Sequence, residues 1–189
     1  MHDIKTASDL DEISHHQLLN LFSRLTAPAV NDMQGEYAAH LLGQPNWPAK
    51  FFGNAVLDNP LRHWRCKAFR PVDELSGRGY NTFEQRGRIV QCYPMGTQIA
   101  PSRFDGHPAY QLVYRQFHST CALLNMVDEV RQIVPGLYLG IGTLGFTKAQ
   151  RRISYPFVLS GPEAKYRGDT GRVRKQFKLS ARELPALFS

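Results

Sequence analysis

The stretch Ala109-Tyr110-Gln111-Leu112-Val113-Tyr114-Arg115-Gln116-Phe117 decides how this chain folds. Its alternation puts Tyr110, Leu112, Tyr114 and Gln116 on one face of a strand, and Gln111, Val113, Arg115 and Phe117 on the other. It lies near the start of a longer run, Pro101 to Pro162, in which further strand segments follow: Cys121–Val127, then Asp128–Val134 as its extension or as a separate strand, then Leu137–Thr143, then Ile153–Ser160. Asp105-Gly106 and Pro135-Gly136 supply turns, and no long helical pattern interrupts. That is the signature of one sheet folding back on itself. Gly140 and Gly142 inside a strand imply sharp bending or close backbone approach, as a small closed sheet requires.

Upstream, the sheet begins at Leu61. In Arg62–Phe69, alternation places Trp64, Cys66 and Ala68 on one face and Arg65, Lys67 and Phe69 on the other, and Pro71 stops the strand. Tyr80–Gln85 and Arg88–Tyr93 form a hairpin about Arg86-Gly87. The second of these strands resumes at Thr97–Ala100 after a break at Pro94-Met95-Gly96. Before the sheet, Asn31 to Tyr37 reads as a turn into a first strand or as a helical start running to Leu42; Ala38, Ala39 and Leu41 favour helix, Gly35 counts against a helix interior, and the strand is preferred. Gln44 to Pro48 reads as a loop, Ala49 to Leu57 as a short helix, and Asp58-Asn59-Pro60 as a turn. At the N-terminus, Ser8 caps a helix with Asp11 in the capping-box position; Leu10, Ile13, Leu18, Phe22 and Leu25 share a face, and Pro28 ends it.

At 189 residues the chain supports one sizeable core with decorations. No apolar run approaches the ~20 residues of a membrane helix. Met1 to Lys5 does not open a secretory signal. Cys66, Cys92 and Cys121 are scattered and suggest neither a zinc cage nor a disulfide framework, so a cytoplasmic protein is expected. From Glu163 onward there are seven basic residues against three acidic ones, a net +4 of the chain's formal +7. Such a tail could meet an anionic surface or nucleic acid, although a solvated extension is the plainer expectation.

Met33-Gln34-Gly35-Glu36-Tyr37-Ala38-Ala39, after a Leu- and Phe-rich helix, resembles the entry of small bacterial proteins named for a Gly-x-Trp-x-Gly motif, with Tyr37 in place of the tryptophan and Ala39 in place of the second glycine. Met126 to Arg131, Leu137-Tyr138-Leu139-Gly140 and Tyr155-Pro156-Phe157-Val158-Leu159 resemble the C-terminal half of the same proteins, and the pattern is similar to calycin barrels more broadly. The fold expected is therefore mainly β: an antiparallel lipocalin-like barrel of about eight strands with an N-terminal helix. Residues 1–30 would be the helix and lead-in, 31–162 the barrel, and 163–189 a basic extension. The resemblance implies binding of a small, mostly apolar molecule and supplies no catalytic residues.

Several groups could carry chemistry. Ser102, Asp105 and His107 share one loop, but a strand–turn–helix context is missing, and local capping of the Asp105-Gly106 turn accounts for them better than a hydrolase does. In a strand, Glu129 and Arg131 face one side and Asp128 the other. Inside the barrel Arg131 could pair with an acid or hold a ligand carboxylate, and Arg103 could hold a ligand from the barrel mouth; an ion pair on the outer face is the plainer expectation for this group, because charged residues are seldom fully buried. Tyr80, Tyr110, Tyr114 and Tyr138 could line a cavity. No histidine pair has metal-ligand spacing; a lone haem ligand could be His63 or His118 as well as any other. No phosphate loop is present.

The expected function is binding of a small hydrophobic or amphipathic molecule, lipid-like or aromatic and with room for an anionic end, by Arg103, Tyr80, Tyr110, Tyr114, Glu129, Arg131 and Tyr138. No metal or cofactor is expected. One alternative is an isomerase or cyclase on the same barrel using Tyr, Asp or His as acid and base. Another is binding of an anionic surface or nucleic acid by the tail, with nucleic acid the less expected partner. A homodimer is left open.

Overall fold

In the computed structural model, which describes residues 4–46, 58–59 and 61–185, the alternating segments become nine antiparallel strands. They are β1 (Gly35–Leu41), β2 (Asp58–Asn59), β3 (Arg62–Pro71), β4 (Ser76–Gln85), β5 (Arg88–Pro101), β6 (Pro108–Val113), β7 (Val127–Val134), β8 (Leu137–Thr143) and β9 (Tyr155–Ala164). Each hydrogen-bonds to its sequence neighbour from β2 through β9. β1 pairs with both β9 and β3, so eight strands close on themselves while β2 adds two residues beside the start of β3. Closure leaves this wall without free edges.

The turns follow their chemistry. Arg86 and Gly87 both adopt positive φ, 51° and 73°, the backbone of the two-residue hairpin turn that joins β4 to β5. The break expected at Pro94–Gly96 is not one. β5 runs unbroken for 14 residues and absorbs the irregularity as a bulge opposite Gly79–Asn81, with Tyr93 at φ 53°. Gly140 is where the backbone is approached closely: the Phe157 ring lies where its side chain would be.

Two expectations are corrected. Cys121–Val127 is not a strand throughout. Thr120–Leu123 forms a short helix (α2), started by the Ser119 hydroxyl accepting from the Ala122 N–H, and β6 gives way to a 3-10 turn at Tyr114–Gln116. The N-terminal segment is two pieces. A 3-10 turn, Ala7–Leu10, is capped by Thr6 with Asp9; a second capping box, Ser14 with Gln17, then starts α1 (His15–Phe22). The short helix expected over Ala49 to Leu57 lies outside the described residues.

Two apolar cores result. The inner one fills much of the barrel with Tyr37, Phe69, Phe83, Met95, Tyr110, Leu112, Tyr138 and Leu159. The outer one lies against the outward side chains of β8 and β9: Leu10, Leu18 and Phe22 pack on Leu137, Leu139, Ile141 and Val158. Burying a Leu or Phe side chain is worth about 1.5–3 kcal/mol, so this second layer is a substantial part of the fold. The C-terminal segment also covers the wall. His118 donates its backbone N–H to Arg172 and Arg174 donates to Gln116, while Glu183 and Leu184 are each 1% exposed.

Candidate functional site

A bulge creates the site. Trp64 pairs with Phe83 and Cys66 with Thr82, so Arg65 is an extra residue on β3. Past it the alternation changes phase. Trp64, Lys67 and Phe69 all point inward, and Cys66 and Ala68 face out. Simple alternation had put Lys67 opposite Trp64.

Lys67 is only 3% exposed, as is Asp128, which β7 points inward. The Lys67 ammonium donates to Asp128 Oδ2 at 2.7 Å, to the Tyr114 hydroxyl at 2.6 Å and to Asn81 Oδ1 at 3.0 Å. All three of its protons are placed. Tyr114 in turn donates to Asp128 Oδ2 at 2.8 Å and accepts from Asn81 Nδ2 at 3.2 Å. The Trp64 indole N–H donates to Asn81 Oδ1 at 3.1 Å, so that one oxygen receives two convergent donors. Trp64 and Phe157 each set a ring 5.1 Å from the ammonium. A buried ion pair is weak evidence for stability, because desolvation consumes most of its Coulomb attraction. Such a pair, fully bonded inside a barrel, is where a functional site is sought first.

Beside the cluster the barrel is not full. Room for water centres amounts to about 40 Å³, lined by Leu41, Trp64, Met126, Leu144, Tyr155 and Phe157 around the polar group. A single water needs roughly 10–15 Å³, whereas pockets for drug-sized ligands run to about 300–1,000 Å³. The space thus accepts a small group and not a lipid-sized body. Leu41, Met126, Leu144 and Tyr155 are half-buried and form its outer rim. The remaining interior is closed by aromatic packing: Tyr37 lies 5.7 Å from Phe69 and 5.6 Å from Tyr138, and Phe69 lies 5.6 Å from Tyr110.

Of the seven residues expected at the ligand, Tyr114 lines this space. Tyr110 and Tyr138 are inside the barrel but in its filled part, where the Tyr110 hydroxyl bonds Thr97 at 2.7 Å. The other four are on the outer side of the wall. Tyr80 donates to Glu36 at 2.8 Å and stacks near Tyr166. Glu129 accepts from the Ser102 hydroxyl and, at 2.9 Å, from the Arg103 N–H. Arg103 also donates to Thr143 Oγ1 at 2.6 Å and to the Glu183 carbonyl. Arg131 is buried beneath α1, with its guanidinium 4.4 Å from the Phe22 ring and two bonds to Asp105, at 2.6 and 2.7 Å. Asp105 also accepts from the His107 N–H at 3.0 Å, the local turn bond expected of that loop. The alternation of β7 was read correctly, with Asp128 opposite Glu129 and Arg131. The member that faces the interior space is Asp128.

The electrostatics follow from burial. Burial, aided by the Asp128 charge, holds the Tyr114 phenol well above its ordinary range, so it stays a neutral donor. Burial pushes the nearby Cys121 thiol up to about 12, which leaves no thiolate for nucleophilic chemistry at neutral pH. On the outer side, burial raises the Glu129 pKa despite its donors and lowers that of Arg103. Lys67, Asn81 and Trp64 were not singled out from the sequence. The only signal for Lys67 was a lysine between Cys66 and Ala68 in a strand that also carries Trp64 and Phe69. No group of His, Cys, Asp and Glu suited to a metal occurs among the described residues, and no helix among them is long and apolar enough to cross a membrane.

No family model matches the chain, and neither does any curated protein. Its fold is similar to that of a solved structure of a protein from Thermomonospora curvata, with a TM-score of 0.51 at 16% identity over 81% of this chain and 90% of that one. The likeness is one of fold.

Proposed function

We propose that the barrel binds a small amphipathic molecule, through an acceptor oxygen on its polar end. The observation that carries this reading is the pair of hydrogen bonds that Asn81 Oδ1 accepts. The Lys67 ammonium and the Trp64 indole N–H converge on one point, 3.0 and 3.1 Å away, beside the remaining space. A carbonyl, carboxylate or phenolate oxygen that displaces the Asn81 amide oxygen meets both donors at once, one of them charged. The apolar remainder lies against Trp64 and Phe157 and leaves past the half-buried rim of Leu41, Met126, Leu144 and Tyr155. The small volume favours a compact aromatic or short-chain ligand over a long lipid.

A second reading rests on the Tyr114–Asp128 contact. A neutral phenol held 2.8 Å from a carboxylate, with an ammonium bonded to both, is an acid beside a base. An isomerase or cyclase needs such a pair.

Native mass spectrometry of the purified protein tests both. Binding predicts an adduct of a small molecule, released on denaturation and absent from the Lys67→Met/Asp128→Leu variant. If the barrel is also an isomerase or cyclase, the released material separates into two species of equal mass. An adduct equally abundant in the double variant, or an empty wild-type protein that takes up no small aromatic acid or ketone when these are supplied, would overturn the proposal.

A further inference from the structure

The C-terminal segment is docked rather than loose. The His118 N–H donates to its Arg172 carbonyl and the Gln116 carbonyl accepts from its Arg174 N–H, Phe117 forms an isolated bridge with Val173, and Arg103 and Arg115 both hold Glu183. Docking builds a groove of about 850 Å³ on the outside of the protein, lined by Arg115, His118 and the loop from Arg172 to Lys178. Its lining includes no carboxylate. Of the acids of this segment, Asp169 is engaged away from the groove by Arg70 and Arg78, and Glu183 is taken up by Ser180 and by Arg115, the lining cation that does have a carboxylate partner. Arg172, Arg174, Lys175 and Lys178 have no carboxylate partner among the described residues, and the Arg174 Nε is buried with nothing to receive its proton. Four cations gathered along one concavity repel one another. They are stabilised by a ligand with several negative charges.

From this we infer that the groove is a second binding site, for a short run of single-stranded nucleic acid. Backbone phosphates match a line of cations, and the His118 and Phe177 rings in the same groove give bases something to stack on. A bilayer is a poorer match. The site is concave, and the large apolar side chain exposed along this loop is Val173, 42% exposed, with no Leu, Ile or Trp to insert.

The test is fluorescence anisotropy with a labelled oligo-dT and the full-length protein across a salt series. Four phosphate contacts predict a slope of log K against log salt near −3, at about −0.7 per contact for a single strand, or a loss of roughly 50-fold between about 50 and 200 mM. The Arg172→Glu/Lys175→Glu/Lys178→Glu variant should bind at least about tenfold more weakly with an unchanged unfolding midpoint, because these side chains hold no partner in the fold. Three outcomes would overturn the inference. They are no binding near 50 mM salt, equal binding by the variant, and binding to phosphatidylserine vesicles or tripolyphosphate in place of the oligonucleotide.

Discussion

Lys67→Met is expected to destabilise the protein by about 3–5 kcal/mol, because it leaves the Asp128 carboxylate buried without its cation. Against a total stability of roughly 5–15 kcal/mol for a domain of this kind, that change brings the variant close to unfolding. The number alone does not separate lost attraction from stranded charge. The double variant Lys67→Met/Asp128→Leu does. It removes both charges and should recover half or more of the loss, leaving chiefly the Tyr114 hydroxyl without its acceptor, a cost of about 1–3 kcal/mol. Urea midpoints of the single and double variants provide the measurement. Equal destabilisation in both would mean that the pair is not held in a low-dielectric interior and that the site is not where the fold places it.

Arg131→Met should cost a similar amount, about 3–5 kcal/mol, for a different reason. The Arg131 guanidinium is the rivet of the outer layer. It donates to the Phe22 carbonyl at the end of α1, to the His107 and Pro108 carbonyls where β6 begins, and twice to Asp105. Three carbonyls and a carboxylate lose their donor together. The pH dependence gives the signature. Burial works to raise the Asp105 pKa, but the bonds from Arg131 and the His107 N–H more than offset it and hold the carboxyl below its ordinary range. A group depressed in the folded state contributes stability that is present above its unfolded pKa, about 3.9, and is lost as pH falls through the folded value. The gap in urea midpoint between wild type and Arg131→Met should therefore narrow as pH drops below about 4. A gap that is the same at neutral and acid pH would count against this role for the ion pair.

The period-2 patterns of Tyr110–Val113, Leu137–Thr143 and Tyr155–Leu159 made the wall legible, since each needs one face inside and one outside. The site was not legible, and two physical causes account for it. The first is the extra residue at Arg65. A bulge shifts phase by one residue with no compositional mark, so alternation carried from Trp64 assigned Lys67 to the wrong face. The second is the outer layer. Alternation separates two faces of a strand but does not tell a solvated outer face from one covered by other parts of the chain. Arg103, Glu129 and Arg131 read as ligand residues, although for Glu129 and Arg131 an ion pair on the outer face is the plainer expectation. Instead they are buried outside the barrel, where the N-terminal helix and the C-terminal segment supply their partners. The Ser119 cap of α2 was not read from the sequence, where the apolar run from Cys121 reads as a strand.

The account's central claim is that the interior donors Lys67 and Trp64 receive a ligand oxygen. The Trp64 indole N–H resonance, assigned by Trp64→Phe against the chain's other tryptophan, reports on this directly. Titration with benzoate, hexanoate and a small aromatic ketone should shift that resonance saturably for at least one of them, as the Asn81 oxygen is exchanged for the ligand's. A resonance unmoved by all three, while outer-wall residues such as Tyr80 or Arg131 respond, would contradict it.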